Sequence, residues 1–217
     1  MEPRDPARHA ARMYVPCAPA PRPIRTRRRE RCAGCGLTEA LCLCASLLPN
    51  AVRTRVIVIA HRNEVHKTTN TGKLAVRMLE GAALRVRGDG REVAPSVEER
   101  AARRLVLYPA PDARVIEHGD LRSGEPLVLV VPDGSWPQAR KIARRDPLAE
   151  GAEHVTLPPG APSRYGLRRN PREGGLCTLE AIARAMGVLE GAAIEAELLR
   201  ILELFVSRQR DVRVSRV

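Results

Sequence analysis

The sequence predicts an α/β protein with a mostly parallel sheet that is covered by helices on both faces. The first observation is that short, continuous apolar runs alternate with amphipathic segments from Arg55 onward. Continuous apolar runs are typical of strands buried on both sides, and parallel sheets bury their strands in this way. The second observation is that one Trp, three Tyr and one Phe are the whole aromatic complement of 217 residues. The core must therefore be built from aliphatic side chains.

The chain divides into three predicted regions. Residues 1–30 are rich in Pro, Ala and Arg and predict a mostly irregular arm, which is either a solvated tail or, through "RTRRRE", an RNA-contacting segment. Residues 31–50 form a predicted cysteine-rich element, and residues 51–217 form the predicted α/β domain.

The regular elements of the α/β domain follow from apolar patterning. Strands are predicted at "RVIVIA" (55–60), "RLVLYP" (104–109), "PLVLVV" (126–131) and "HVTLP" (154–158). Helices are predicted through "GKLAVRMLE", capped by Asn70 or Thr71, from Trp136 to about Arg145, and over the last two segments, "TLEAIARAMGVL" and "IEAELLRILELFV". In the final helix one apolar stripe is expected, formed by Ile194, Leu198, Leu202 and Phe205.

The net charge and the apolar content indicate which partners and which compartment to expect. The net charge of +12 fits a polyanionic partner, because Lys and Arg against phosphates release counterions. No stretch is as long and apolar as a membrane span, and the first residues lack the apolar core of a secretory signal. We therefore expect a cytoplasmic protein without a membrane partner, in which cysteines stay reduced.

Four cysteines are clustered in "CAGCGLTEALCLC". Cys32, Cys35, Cys42 and Cys44 lie within thirteen residues, whereas Cys17 and Cys177 are isolated. Four thiolates at such spacing can close tetrahedrally on a structural Zn²⁺. The alternatives are unrelated buried thiols or a redox pair, but clustering in a reduced compartment favours the metal.

The stretch "PDGSWPQ" follows the third predicted strand. Ser135 and Gln138 form a capping box, and Pro137 is tolerated in the first helical turn. Asp133 is thereby expected on a turn at the carboxyl edge of the sheet, where α/β proteins bind ligands. Taken alone, the same residues are also explained as turn chemistry and packing.

Two further loops carry polar side chains, and the first of them is expected at the same edge. "AHRNEVHKTTNTGKL" follows the first strand, and a ligand- or phosphate-contacting loop explains it better than a metal site does. "PSRYGLRRNPREGGLCTLEA" is an arginine-lined loop that enters a helix predicted to be capped by Thr178, with Glu180 in its first turn. Such a loop suits an anionic group, although Tyr165 and Leu167 are residues of a buried type.

These clusters together resemble the DTW-domain family, the tRNA-uridine aminocarboxypropyltransferases. The resemblance rests on the four clustered cysteines, "HRNEVHKTTNTGKL", the D-x-[TS]-W motif as "DGSW", and "RYGLRRNPREGGLCTLEA", and it covers about residues 30–190. Two positions depart from the family pattern. Ser135 stands where threonine is usual and keeps the hydroxyl, while Gly166 interrupts the usual Y-R-L-R and removes a cationic side chain.

The resemblance implies a fold related to the SPOUT RNA methyltransferases, with a C-terminal region that can be knotted. It also implies that the chain binds S-adenosylmethionine and transfers its 3-amino-3-carboxypropyl group to N3 of a uridine in tRNA, releasing methylthioadenosine. Two alternatives stay open: a SPOUT-like RNA methyltransferase, and a zinc-bearing RNA-binding or assembly factor without catalysis.

The resemblance also implies roles for individual residues. The catalytic candidates are Asp133, Ser135 and Trp136, with Asp133 as general base or as an orienting group for the uracil or the cofactor. The cofactor-binding candidates are Pro132, Gly134, Leu157, Tyr165, Arg168, Thr178 and Glu180. The substrate-binding candidates are His61, Glu64, Lys67, Thr69, Asn70, Thr71 and Arg164. Within these sets, Arg164 or Arg168 and amides near Thr178 are expected to hold the carboxylate of the transferred arm, and Glu64 or Glu180 its amine.

Overall fold

A computed structural model describes residues 31–91, 93–167 and 175–214. Six strands form one all-parallel sheet in the order β2-β1-β5-β3-β6-β4. The strands are β1 (Thr54–His61), β2 (Ala83–Arg87), β3 (Arg103–Leu107), β4 (Arg114–Val115), β5 (Leu127–Asp133) and β6 (Glu153–Thr156). The predicted parallel sheet with helices is thus confirmed. The arm at residues 1–30 and the arginine at position 168 lie outside the described residues.

The helices are α1 (Arg62–Val65), α2 (Gly72–Met78), α3 (Val97–Ala101), α4 (Trp136–Arg145), α5 (Thr178–Glu190) and α6 (Ala192–Val214). Short 3-10 turns lie at Glu39–Leu41, Cys44–Ser46 and His118–Asp120. None of the helices in the described part of the chain is both long and apolar enough to cross a membrane.

The predicted bounds of α4 are confirmed, and two predictions at the ends of elements were wrong. Asp133 is the last residue of β5, in register with Ala60 of β1, and does not lie on the following turn. The N-cap of α5 is Cys177 rather than Thr178, because the Cys177 thiol accepts from the Glu180 N–H at 3.5 Å. Glu180 completes a capping box with Cys177, since its carboxylate accepts from the Cys177 N–H.

The sheet separates two apolar layers. On one face Val56 and Val58 of β1 join α2, α5 and α6 in the larger core. On the other face Ile57 and Ile59 pack with α4 through Ile142 and its neighbours. Alternation along one strand feeds both layers, since successive side chains point to opposite faces.

The predicted stripe on α6 is confirmed. Leu198, Leu202 and Phe205 are fully buried, and Ile194 packs partly buried against the same core. Phe205 stacks on Tyr165 with ring centroids 6.5 Å apart, so two of the few aromatic residues meet here. Each fully buried large apolar side chain contributes about 1.5–3 kcal/mol relative to exposure.

The cysteine-rich segment shares the larger core. Leu37, Leu43 and Leu47 are buried in the same cluster as β1 and α5. The segment is also bonded to distant parts of the chain, since Arg208 on α6 donates to the Cys42 carbonyl and Arg31 donates to the His66 carbonyl at 2.7 Å. The cysteine-rich element therefore packs on the face of the sheet that α2, α5 and α6 cover.

Candidate active site and metal centre

Three separate sequence motifs meet at the carboxyl edge of the sheet. β1 and β5 are adjacent and end together, with Ala60 beside Asp133. The loop after β1 leads into α2, and the N-terminus of α5 lies against it, since the Leu179 N–H donates to Thr71 Oγ1 at 3.2 Å. "TNTG", "DGSW" and "CTLE" thus form one site, although 63 positions separate Asn70 from Asp133.

Asp133 is the centre of this site. Its side chain is buried, and Asn70 Nδ2 donates to Oδ2 at 2.5 Å while the Thr178 hydroxyl donates to Oδ1 at 2.6 Å. Buried carboxylates require such partners, because their desolvation is costly otherwise. The two donors, one on each oxygen, fix the plane of the carboxylate.

Gly72 permits this arrangement. A Cβ at this position would lie 3.0 Å from Asp133 Oδ2, 3.1 Å from Val58 Cγ1 and 3.3 Å from Thr178 Cγ2. The start of α2 can approach the carboxylate only because no side chain stands there. Asn70 also accepts the Lys73 N–H through Oδ1 at 3.2 Å, so a single amide fastens α2 and orients Asp133.

Glu180 is buried beneath the arginine-lined loop. Its carboxylate accepts from the Ser163 hydroxyl at 2.5 Å, the Arg164 N–H at 2.6 Å and the Cys177 N–H at 3.1 Å. These contacts favour a structural function that shapes the loop over one of holding an amine of a ligand.

Tyr165 joins the arginine-lined loop to the loop after β1. Its hydroxyl donates to the Thr69 carbonyl at 2.8 Å, and its ring is buried against Phe205. Leu167 is buried as well, which agrees with the buried type of both residues. By contrast, Arg164 extends into a half-exposed ion pair with Glu203 at 2.7 Å.

The remaining polar residues of the loop after β1 lie farther out. Lys67 pairs with Glu64 at 2.6 Å, and the lysine side chain is 52% exposed. His61 lies nearer the site, because its Nδ1 accepts the Asn63 N–H and lies 3.1 Å from Gln138 Nε2. Of the residues in this loop, Asn70 bonds to Asp133, Thr71 to the start of α5 and Thr69 to Tyr165.

The start of α4 forms the opposite side of the edge. Gln138 accepts the Ser135 N–H at 2.8 Å, which confirms this half of the predicted box. A Cβ at Gly134 would lie 2.9 Å from Gln138 Cβ, so the turn requires glycine. Trp136 is half-buried and packs against Tyr108, with centroids 6.2 Å apart. Pro132 lies near the end of β5 and Leu157 just beyond the end of β6, and both are half-buried.

The four clustered cysteines form a candidate metal centre. Their sulfurs all lie within 4.8 Å of one another, with Cys32–Cys44 at 3.4 Å, Cys32–Cys42 at 3.5 Å and Cys35–Cys42 at 3.8 Å. Zn–S bonds of about 2.3 Å place the sulfurs of a tetrahedral site about 3.8 Å apart. The donor set and its spacing therefore fit a tetrathiolate zinc ion.

Two cations of α2 flank this centre. The sequence alone did not identify them as its neighbours. Lys73 and Arg77 are one turn apart, and a Cβ at Gly36 or Gly34 would collide with their side chains. Burial lowers the pKa of Lys73, while the neighbouring Cys35 thiolate opposes this shift. A zinc ion with four thiolates carries a net charge of −2, so both cations compensate it. The i, i+4 spacing of Lys73 and Arg77 was the available signal.

Comparisons with known proteins show the family to which the chain is related. The DTW domain matches residues 29–210. A Drosophila melanogaster protein named tRNA-uridine aminocarboxypropyltransferase 2 is 30% identical over 198 residues, covering 85% of this chain and 76% of the relative. The mouse protein of the same name is 30% identical over 191 residues, and the chain spans 64% of its length.

Two further matches are more distant. Arabidopsis thaliana tRNA-uridine aminocarboxypropyltransferase A is 26% identical over 217 residues, covering 84% of this chain and 81% of the relative. Among solved structures, the SAM-dependent rRNA:acp-transferase Tsr3 from Vulcanisaeta distributa aligns with a TM-score of 0.46 and 18% identity, over 73% of this chain and 81% of that chain.

Proposed function

The chain belongs to the DTW-domain family, and from this premise we propose that it transfers the 3-amino-3-carboxypropyl group of S-adenosylmethionine to N3 of a uridine in tRNA, releasing methylthioadenosine. The observation that carries the proposal is the buried Asp133, fixed between Asn70 and Thr178 where three motifs of the family meet. A tRNA substrate also fits the net charge of +12 and the cytoplasm predicted from the sequence.

The cofactor supplies the transferred group on a sulfonium, which is an activated leaving group. The residues that would hold it border the carboxyl edge, where α/β sheets bind ligands. They are Pro132, Gly134 and Trp136 after β5, Leu157 after β6, and Thr178 at the start of α5. The half-buried Trp136 and Leu157 supply apolar surface.

Asp133 acts at the uracil. N3 of uracil carries a proton that must leave as the N3–C bond forms and the C–S bond breaks. Asp133 can accept the N3–H hydrogen bond, which turns N3 toward the carbon under attack. Because both carboxylate oxygens are already fixed by protein donors, we assign Asp133 first to orienting the uracil and second to accepting its proton.

The site must present the propyl arm, rather than the methyl group, to N3. Arg164 is a candidate for the carboxylate of the arm, and it would have to exchange its Glu203 partner for it. Glu180 fixes the backbone of Arg164, so we propose that it positions the arginine instead of meeting the amine itself. With Glu180 fixed within the fold, Glu64 remains as the candidate for the amine, and it would have to exchange its Lys67 partner for it.

The test is a product analysis with purified protein, bulk tRNA and labelled S-adenosylmethionine. We expect methylthioadenosine and a modified uridine, whereas S-adenosylhomocysteine would identify a methyltransferase and no product a binding protein. Asp133→Asn should keep cofactor binding and lose about 100-fold or more in transfer rate. Asp112→Asn is the matched control, because the Asp112 side chain is 74% exposed. Equal rates for wild type and Asp133→Asn would refute the assigned function of Asp133.

A further inference from the structure

The outward face of α4 is a strip of positive charge. The helix carries Arg140, Lys141, Arg144 and Arg145, all exposed, and no acidic residue. Ala139, Ile142 and Ala143 form its buried face against the sheet. The packing thus holds all four cations toward solvent.

These four cations lack the ion pairs that several other arginines of the fold make. Within the described residues no carboxylate lies within 4.0 Å of any of the four side chains. Several other arginines are paired: Arg85 with Glu99 at 2.7 Å, and Arg103 and Arg114 with Asp120 at 2.9 and 2.6 Å. Arg87 beside α4 already occupies the nearby Asp146 at 2.9 Å. The charge of α4 is therefore uncompensated.

Helix stability does not explain the strip. Arg140 and Arg144, like Lys141 and Arg145, are spaced i, i+4, and each like-charge pair costs about 0.2–0.5 kcal/mol. The helix dipole favours cations only in the last turn, which accounts for Arg144 and Arg145 but not for the other two. A partner of opposite charge would remove this repulsion.

The strip leads directly from the site. α4 begins at Trp136, three residues after Asp133, and extends for about 15 Å along the sheet. The half-buried pair of Trp136 and Tyr108 lies at its start. An extended polyanion on the strip therefore reaches the carboxyl edge where Asp133 lies.

We propose that the outward face of α4 is a phosphate-binding track that holds the backbone of the substrate RNA next to the active site. The inference rests on the proposed function for the identity of the RNA. Phosphate contacts position a nucleic acid without reading its sequence, so the track would act alike on different tRNAs.

The test compares two triple variants of the full chain. Arg140→Gln, Lys141→Gln and Arg144→Gln together remove three charges from the track. Arg53→Gln, Arg100→Gln and Arg122→Gln remove three exposed charges ahead of β1, β3 and β5, and hence near the opposite edge of the sheet. Equilibrium binding of tRNA is measured at several salt concentrations, together with transfer at saturating tRNA.

We expect the track variant to bind tRNA about 10- to 100-fold more weakly, with a salt slope smaller by roughly 2 units and kcat unchanged. The control variant should stay close to wild type. Equal weakening in both variants, or none in the track variant, would overturn the proposal. So would loss of binding to phosphatidylserine vesicles with RNA binding intact, which would make the strip a membrane contact.

The two proposals fail separately. If wild-type protein binds tRNA through the strip but yields no methylthioadenosine, the proposed function fails and the track stands. If it yields methylthioadenosine and the track variant binds and reacts like wild type, the track fails and the function stands.

Discussion

The Thr178 side chain contacts Asp133 because the neighbouring Cys177, and not Thr178, caps α5. The sequence predicts a threonine cap for α5, and the structure gives that task to Cys177. The Thr178 hydroxyl is consequently available to donate to Asp133 at 2.6 Å. The terminus of α5 therefore supplies the carboxylate with a hydrogen bond across 45 positions of sequence.

The Thr178 hydroxyl should matter more than its methyl group. Thr178→Val keeps the shape and removes the donor, and a hydrogen bond to a charged group is worth about 1.5–3 kcal/mol. We expect a loss of about 10- to 100-fold in kcat for transfer, while Thr178→Ser, which retains the donor, should stay within about threefold. Matching rates for the valine and serine variants would show that Thr178 acts only by packing.

At the scale of elements, α2 connects the cysteine cluster with the active site. Lys73 and Arg77 lie beside the cysteines, while Asn70 and Gly72 at the start of the same helix contact or border Asp133. Loss of the metal would leave the two cations beside protonated thiols and weaken the seating of α2. The candidate metal centre and the loop that contacts Asp133 are therefore connected through one helix.

Metal binding should stabilise both the cysteine-rich element and α2. We expect about one equivalent of zinc, and Cys35→Ser should lower the free energy of unfolding by about 3 kcal/mol or more beyond the effect of Cys177→Ser. Cys177 is the control because it is equally buried but lies outside the cluster. In hydrogen exchange, Cys35→Ser should also lose protection at the Leu74 and Ala75 amides. Metal-free protein with unchanged stability would contradict the zinc site.

A second set of contacts joins β3, β4 and β6 through Asp120. Burial opposes its ionisation, but hydrogen bonds from Arg114, the Glu117 N–H and Arg103 lower the pKa of Asp120 to about 2. Arg103 and Arg114 also reach Glu153 on β6, at 3.0 and 2.9 Å. Charge pairs thus supply part of the cohesion of this edge of the sheet.

The lowered pKa of Asp120 predicts acid sensitivity. A carboxyl group with a depressed pKa in the folded state stabilises the fold above its unfolded pKa of about 3.9, and this stabilisation is lost as the pH falls toward 2. Between pH 4 and pH 2, wild type should therefore lose about 2 kcal/mol more of unfolding free energy than Asp120→Asn. Denaturant titrations at both pH values measure the difference, and Asp89→Asn, an exposed site, should behave like wild type. Parallel pH profiles for wild type and Asp120→Asn would contradict it.

At the scale of the whole molecule, two positively charged regions of the protein are candidates for binding the RNA. One is the strip on α4, and the other is the arginine-rich segment of the arm, which lies outside the described residues. We predict that replacing Arg25, Arg27, Arg28 and Arg29 by Gln weakens binding about equally for every tRNA and lowers the salt slope by up to ~3 units. Binding of several tRNAs across salt concentrations is the measurement. An unchanged slope would indicate that the arm is a solvated tail.

Local patterns in the sequence were sufficient for much of the fold. The α/β class, the bounds of α4 and the apolar stripe on α6 depend on neighbours within a few residues, which periodicity and capping residues report. β2, α3 and β4 were not predicted. β2 carries Arg85 and Arg87, whose partners Glu99 and Asp146 are far along the chain, so its pattern is not that of an apolar strand.

The sequence by itself singled out the residues that are proposed to carry the chemistry: four clustered cysteines, the aspartate of "DGSW" and the polar loops after the strands. Only the tertiary structure decided what each of them touches. Asn70 and Thr178 reach Asp133 because adjacent parallel strands end at one edge, and Lys73 and Arg77 reach the cysteines because that element packs on α2. Hydrogen bonds and charges act over a few ångströms of space. Residues far apart in sequence therefore become partners only once the sheet and the two cores bring them together.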